Sequence, residues 1–108
     1  FYNLNKNDAV FSIKDAFIVK YCNNSQKSLD FHKDGSFISI NIMLSDKKSY
    51  RDGGTMFEDG LVHKLEQGEM LISCGKIDHS GLSITAGKRY LLVIFTNLIF
   101  KGKQVFNC

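Results

Sequence analysis

Short apolar segments follow one another along this chain, separated by polar or glycine-containing turns, and no proline interrupts them. The segments are rich in branched and aromatic residues, and this composition with such frequent turns favours β-strands. The predicted strands cover residues 16–21, 37–44, 55–58, 61–65, 69–73, 81–85 and 89–96, with a turn at 86–88 between the last two. Residues 1–15 hold either a short helix or a further strand. The chain is therefore predicted to be all-β, with little helix.

Seven or eight short strands in a domain of this size fit a double-stranded β-helix, the jelly roll of cupin-like proteins. The interior of such a roll is wide enough for a metal ion and a small organic acid. The predicted strand 37–44 has two faces, because successive side chains point to opposite sides of a strand. One face is uniformly apolar, and we expect it to face the core: Ile38, Ile40, Ile42 and Leu44. The other face mixes polar groups such as Asn41 with apolar ones, which suits the wall of a binding cavity.

The composition is that of an ordinary globular domain. The 108 residues are 44% hydrophobic and carry a net charge of +3, which argues against disorder. The positive charges are dispersed, so neither nucleic-acid nor membrane binding is indicated, and no apolar run is long enough to span a bilayer. The chain begins at Phe1 without a signal-peptide pattern, so we expect a piece of a longer protein, whose compartment the sequence does not indicate.

Two histidines and an aspartate are candidates for a metal site. His32 and Asp34 lie two residues apart just before the strand 37–44, so their side chains project from the same side of an extended chain. An imidazole and a carboxylate are two thirds of the 2-His-1-carboxylate triad of non-haem iron oxygenases. His79 follows Asp34 by 45 residues. Because the last strands of a jelly roll return beside the middle ones, His79 is the candidate third ligand.

Arginine is rare in this chain, with Arg51 and Arg89 among fourteen basic residues. Arg51 falls in the polar loop 45–52, whereas Arg89 opens the most apolar predicted strand. We expect a β-turn between His79 and Arg89 to place both on neighbouring strands that face one cavity. Three protein ligands leave three positions of an iron ion open, and a 2-oxo acid occupies two of them. The planar guanidinium group of Arg89 suits the far carboxylate of such an acid.

Each candidate also has a simpler structural interpretation. A surface histidine, a turn-capping aspartate and a loop histidine are the alternatives for His32, Asp34 and His79, and a strand-edge charge is the alternative for Arg89. The third histidine, His63, has no matching partner and is interpreted as a solvated hairpin residue. The two glycines at 53–54 are interpreted as a turn or bulge with positive φ.

Five blocks of sequence, in order, resemble the 2-oxoglutarate oxygenases of the prolyl- and lysyl-hydroxylase type, most closely the catalytic domain of procollagen lysyl hydroxylases. The blocks are FIVKY at 17–21, HKD at 32–34 with SFISINI at 36–42, GGTMF at 53–57, HSGL at 79–82 and GKRY at 87–90. They span about three quarters of the chain. The chain departs from the family pattern at Ser83, where proline is common, in its short basic loop 45–52, and in lacking most of the segment upstream of the first strand.

The resemblance implies a site and a cofactor set. Fe(II) would be bound by three ligands: His32, Asp34 and His79. Arg89 would pair with the C5 carboxylate of 2-oxoglutarate, and Tyr21 and Asn41 would lie against the same co-substrate. Ascorbate would be the reductant. Residues 1–108 would form a single dioxygenase domain, the C-terminal catalytic core of a protein whose upstream part is missing.

The resemblance also implies an activity. Dioxygen and 2-oxoglutarate would be consumed, with release of succinate and CO2, to hydroxylate lysyl or prolyl residues of a protein or peptide substrate. Hydroxylation of a small molecule or a nucleobase on the same scaffold is the nearest alternative. A non-catalytic jelly-roll binding module and a zinc- or manganese-binding cupin are the others, and the presence of all four metal and co-substrate residues argues against both.

Overall fold

The computed structural model of the chain describes residues 9–23 and 28–105. Ten strands account for most of them: β1 (Ala9–Cys22), β2 (Leu29–His32), β3 (Ile38–Met43), β4 (Tyr50–Asp52), β5 (Thr55–Phe57), β6 (Val62–His63), β7 (Met70–Cys74), β8 (His79–Gly81), β9 (Ile84–Phe100) and β10 (Lys103–Val105). The one helical element in this part of the chain is a single 3₁₀ turn, Lys47–Ser49. No helix there has the length and hydrophobicity needed to cross a membrane.

The strands form two antiparallel sheets. The larger sheet has the order β1-β9-β3-β7, with β4 and β10 also paired to β9, and the smaller has the order β2-β8-β5-β6. The apolar core between them contains Tyr21, Met43, Ile84, Leu91 and Val93. The predicted double-stranded jelly roll with little helix is confirmed.

Strand β9 is the strand of the larger sheet with which most of the other strands pair. It pairs with β1 along almost its whole length and with β3 on its other side. The predicted turn at 86–88 is wrong, because β9 runs without interruption through Gly87, whose φ is +78°. Gly87 pairs with Tyr50, and a Cβ atom added to Gly87 would collide with the carbonyl oxygen of Ser49. The lack of a side chain at Gly87 therefore lets β4 pair closely with β9, and the chain does not change direction there.

One further prediction needs correction, and one open alternative is decided in favour of a strand. The segment 45–52 is not simply a polar loop, because it contains the 3₁₀ turn and β4. The first strand begins at Ala9 and continues past an irregularity between Ile13 and Asp15, so 9–15 is strand; residues 1–8 lie outside the described part of the chain. The predicted hairpin at 59–60 is confirmed, as is positive φ at Gly53 and Gly54, which have φ of +88° and +114°.

The buried face of β3 is the opposite of the predicted one. Ser39 and Met43 are 2% and 1% exposed and face the smaller sheet, while Leu44 is 39% exposed. On the outer face, Ile40 pairs with Ile72 of β7. Ile42 lies in line across the sheet with two exposed apolar residues, Ile18 of β1 and Met70 of β7. The uniformly apolar face thus lies outside. The mixed face borders the interior because that is where the polar groups of the site are needed.

The role of Gly87 can be tested by comparing Gly87→Ala with Gly68→Ala. Both glycines have positive φ, +78° and +84°, but nothing lies within 4 Å of a Cβ atom added to Gly68. We expect Gly68→Ala to lower the free energy of unfolding by about 1–2 kcal/mol, the cost of a left-handed residue. Gly87→Ala should cost about 1–3 kcal/mol more, because the β4 backbone must move. If both variants lose the same free energy of unfolding in urea, the close approach of β4 at Gly87 does not contribute to stability.

Candidate metal centre

Three metal-donor side chains from distant parts of the sequence meet at one edge of the smaller sheet. His32 ends β2 and His79 begins β8, and the two residues lie opposite each other where these strands pair. Asp34 follows His32 by two residues. One donor atom from each of the three lies within 4.8 Å of the other two. Antiparallel pairing of two short strands therefore brings together residues that are 45 positions apart.

Both histidines are held by the same local hydrogen bond. Nδ1 of His32 lies 2.6 Å from the carbonyl oxygen of Asp30, and Nδ1 of His79 lies 2.8 Å from that of Ile77. A carbonyl oxygen only accepts, so each Nδ1 carries the hydrogen and donates it. Both Nε2 atoms then point to the Asp34 carboxylate, each at 3.4 Å from one of its oxygens. This orientation of imidazoles through Nδ1 is the usual arrangement of metal-binding histidines.

The carboxylate of Asp34 is enclosed, with 6% of its side-chain surface exposed. Its Oδ2 atom accepts a hydrogen bond of 2.6 Å from Ser39 Oγ, which lies 2.7 Å from Ser36 Oγ. Its backbone N–H donates to the carbonyl oxygen of Gly75 at 2.8 Å. A buried charge is costly unless it is hydrogen-bonded, and the bond from Ser39 to the carboxylate supplies part of that compensation.

Burial and hydrogen bonding act in opposite directions on the ionisable groups. Burial by itself would raise the pKa of Asp34, but the hydrogen bonds with His79 and Ser39 and the nearby imidazoles outweigh it, so this pKa is lowered. The pKa of His79 is raised, chiefly by its interaction with Asp34, against the effect of burial. Asp34 is therefore ionised at neutral pH, and a proton competes with any cation for His79.

A cavity between the two sheets opens beside this donor set. It is lined by Phe17, Val19, Tyr21, Leu29, His32, Asp34, Asn41, Thr55, His79, Gly81, Leu91, Val93 and Phe95. The wall is thus mostly apolar, with polar groups concentrated at the donor set. Tyr21 and Asn41, two predicted site residues, are part of it.

Arg89 is deeply buried but does not line this cavity. It is 1% exposed, and its Cζ atom lies 4.9 Å from the centre of the Tyr21 ring. Its Nε and Nη1 atoms have no hydrogen-bond partner among the described residues. Burial lowers the pKa of Arg89, while Tyr21 and Tyr50 act in the opposite direction. An arginine with unsatisfied buried N–H groups is costly unless an anion completes the site.

The expected relation between His79 and Arg89 is wrong in detail. They do not lie on neighbouring strands, because β8 belongs to the smaller sheet and β9 to the larger. Arg89 pairs with Tyr21 across β1 and β9. Tyr21 is 3% exposed, and burial raises its pKa against the effect of Arg89.

Several residues around the site were not singled out from the sequence. Phe57 packs on the His79 ring, with the ring centroids 5.7 Å apart, and Gly81 leaves room for the Tyr21 hydroxyl, which an added Cβ would meet. Thr55 pairs with Gly81 and lines the cavity. A signal existed for all three, because Thr55 and Phe57 belong to the GGTMF block and Gly81 belongs to the HSGL block. His63 is exposed on β6 and lies outside the donor set, in agreement with its interpretation as a hairpin residue.

Curated relatives match about three quarters of the chain. It is 41% identical over 90 residues to "Procollagen lysyl hydroxylase and glycosyltransferase" of Acanthamoeba polyphaga mimivirus, covering 76% of this chain and 10% of that protein. It is 36% identical over 86 residues to the Caenorhabditis elegans protein "Multifunctional procollagen lysine hydroxylase and glycosyltransferase", covering 75% and 12%. A Danio rerio "2-oxoglutarate and iron-dependent oxygenase domain-containing protein 2" is 29% identical over 92 residues, covering 74% and 26%. The chain spans about a tenth of the length of the first two.

Solved structures support the fold. Protein NMB1881 from Neisseria meningitidis superposes with a TM-score of 0.55 at 18% identity, covering 85% of this chain and 78% of that one. No family model matches the chain. The resemblance predicted from the five sequence blocks is confirmed by the curated relatives.

Proposed function

Because this chain is a homologue of the iron- and 2-oxoglutarate-dependent oxygenases of the lysyl hydroxylase type, we propose that it is the catalytic core of such a hydroxylase. The observation that carries the proposal is the convergence of two imidazoles and one carboxylate to within 4.8 Å, beside a cavity between the sheets. The relatives span far more than this chain, so residues 1–108 are proposed as one domain, the C-terminal core of a longer enzyme.

The donor set fits Fe(II). Two nitrogens and one carboxylate oxygen form the facial triad of non-haem iron oxygenases. In this chain, His32 and His79 would bind through Nε2, because their Nδ1 atoms are engaged by backbone carbonyls. Asp34 would supply the negative charge, and its low pKa keeps it ionised. His63 contributes nothing to this set.

Arg89 fits the far carboxylate of 2-oxoglutarate. Its Nε and Nη1 atoms are buried without hydrogen-bond partners among the described residues, and a carboxylate would supply acceptor oxygens to this guanidinium group. Tyr21 lines the cavity and its ring contacts this guanidinium group, so Tyr21 and Arg89 would receive the C5 carboxylate together. Asn41 lines the same cavity and would contact the co-substrate nearer the metal. Ascorbate is proposed as the reductant on the family resemblance.

The residues of this chain would orient the reaction and exclude water from it. Iron held by His32, Asp34 and His79 would supply the activation of dioxygen, with 2-oxoglutarate released as succinate and CO2 and one oxygen atom inserted into a C–H bond of the substrate. Leu91, Val93 and Phe95 line the cavity with apolar surface, which would strengthen charge interactions inside it by keeping the local dielectric low. His32 is the most exposed of the three ligands, with 39% of its side chain accessible, and marks the side from which substrate approaches.

The proposed substrate is a lysyl or prolyl residue in a protein or peptide, with lysyl preferred. The names of the mimivirus and Caenorhabditis elegans relatives are the support for this choice. The alternative is a small-molecule or nucleobase oxygenase, since the name of the zebrafish relative specifies no substrate.

Incubation with Fe(II), 2-oxoglutarate, ascorbate and collagen-like peptides would test the substrate class. We expect succinate release to be coupled to a mass gain of one oxygen atom on peptides that contain lysine. Peptides with proline as the only hydroxylatable residue, and peptides with neither residue, are the controls. Succinate release without any peptide product would contradict a peptidyl substrate and favour the small-molecule alternative.

The metal site is tested by His79→Ala, with His63→Ala as the matched control. His79→Ala removes one of three ligands, so we expect the affinity for Fe(II), measured by anaerobic calorimetry, to fall at least about 100-fold. His63→Ala removes an exposed histidine outside the donor set and should leave the affinity unchanged. If both variants bind Fe(II) as the wild type does, His79 is not a ligand.

The role of Arg89 is tested by Arg89→Lys, with Arg51→Lys as the control at the only other arginine. Lysine keeps the charge but cannot bind a carboxylate bidentately, so we expect the affinity for 2-oxoglutarate to fall about 10- to 100-fold, the equivalent of one or two charged hydrogen bonds. Arg51 is exposed on β4, and its variant should bind 2-oxoglutarate normally. Fe(II) binding and thermal unfolding of both variants would separate loss of the anion site from loss of the fold. Normal 2-oxoglutarate affinity in a folded Arg89→Lys protein would exclude Arg89.

A further inference from the structure

Two serine hydroxyls form a chain that ends on the carboxylate of Asp34. Ser39 Oγ donates to Asp34 Oδ2 at 2.6 Å, and Ser36 Oγ lies 2.7 Å from Ser39 Oγ. Ser36 and Ser39 are 8% and 2% exposed. This chain of hydroxyl groups is therefore shielded from bulk water.

The direction of this chain follows from counting hydrogens. A serine hydroxyl has one hydrogen to donate. Ser39 gives its hydrogen to Asp34 Oδ2, so the hydrogen between the two serines comes from Ser36. The order is Ser36 to Ser39 to Asp34, and hydrogen bonds aligned in one direction polarise and strengthen one another.

The two ends of this chain differ in rigidity. Asp34 lies between β2 and β3, outside either strand. Ser39 lies within β3, and its backbone is paired on both sides, with Ser73 of β7 and Phe95 of β9. A carboxylate on a connecting segment is therefore oriented by a hydroxyl fixed in the middle of the larger sheet.

We propose that Ser39 is a positioning residue for the metal centre: it holds Oδ2 of Asp34 and leaves Oδ1 as the oxygen that binds the ion. Ser36 supports Ser39 in this role. The inference rests on the proposed function, because it concerns the same three ligands. It adds a residue of the larger sheet to a centre whose histidines lie on the smaller one.

The surroundings explain why such a restraint is needed. Asp34 also borders a second cavity, together with Ser36, Lys14, Lys76, Asn97 and Gln104. Lys14 Nζ already reaches the carbonyl oxygen of Gly35 at 2.5 Å. The bond from Ser39 keeps the carboxylate turned to the histidines and away from this second cavity and its lysines.

The test compares Ser39→Ala with Ser39→Thr, using Co(II) as a spectroscopic substitute for Fe(II). We expect Ser39→Ala to weaken Co(II) binding about 10- to 100-fold, the usual effect of removing a hydrogen bond to a metal ligand. The visible absorption bands of bound Co(II) should shift, because Asp34 is then free to bind through both oxygens. Ser39→Thr keeps the hydroxyl and should restore both the affinity and the spectrum.

Thr96→Val is the matched control. Thr96 is also buried, and its hydroxyl donates to the carbonyl oxygen of Ile38 at 2.9 Å without touching Asp34. It should lower the thermal midpoint but leave Co(II) affinity and spectrum unchanged. A folded Ser39→Ala protein with wild-type affinity and spectrum would overturn the proposal, as would a Ser39→Thr protein as weak as Ser39→Ala.

Two further outcomes of this experiment also have a defined meaning: a Ser39→Ala protein that does not fold, and a wild-type protein that binds no metal. If Ser39→Ala does not fold, Ser36→Ala decides, because it removes only the donor to Ser39: a weaker affinity supports the chain, and a wild-type affinity overturns it. If the wild-type protein binds neither Co(II) nor Fe(II), the proposed function fails and the role of Ser39 fails with it. Metal binding that is indifferent to Ser39 would overturn the positioning role alone.

Discussion

The buried carboxylate of Asp34 is the constraint around which this protein is organised. An ionised group removed from water needs hydrogen-bonding or charged partners, or its burial opposes folding. The partners of Asp34 come from separate elements: Ser39 from β3, His79 from β8 and His32 from β2. The requirement to satisfy one charge therefore ties the edge of the smaller sheet to the centre of the larger one. The same contacts place two imidazole nitrogens beside the carboxylate, which is the arrangement that a divalent ion would complete.

The long strand β9 carries a second buried charge, and it has fewer partners. Arg89 lies against the Tyr21 ring, yet two of its nitrogen atoms have no hydrogen-bond acceptor among the described residues. The fold tolerates this because β9 is held by β1 and β3 on its two sides. A fold does not retain an unsatisfied arginine for stability, so its presence is better explained by an anion that binds there. The Asp34 carboxylate has hydrogen-bond partners within the protein, whereas two nitrogen atoms of Arg89 have none among the described residues. This difference is the one expected between the proposed metal centre and the proposed co-substrate site.

The sequence predicted the class of fold and the clustering of His32, Asp34 and His79, because strand-forming segments and spaced donor residues leave local signals. It did not predict the outer position of the face of Ile40 and Ile42. Alternation shows that a strand has two different faces, but the interior is decided by what the other sheet presents, and here it presents polar donors. The prediction of a turn at Gly87 was also wrong, because a glycine with positive φ is found both in turns and in strands that a second strand approaches closely. Ser39 was seen only as a small residue on the cavity-facing side, since its hydrogen bond to Asp34 depends on side-chain placement.

The candidate site residues are divided between the two sheets, and this placement bears on how substrate specificity would arise. Both imidazoles stand on the smaller sheet, while Arg89, Tyr21 and the apolar wall of Leu91 and Val93 belong to the larger one. Under the proposed function, metal binding and co-substrate binding would thus depend on different sheets, joined through Asp34 and Ser39. Neither set of residues extends to the exposed side of His32, where a substrate would approach. Under the proposed function, the substrate would therefore be selected by surfaces around His32 and not by the residues that would hold the metal and the co-substrate.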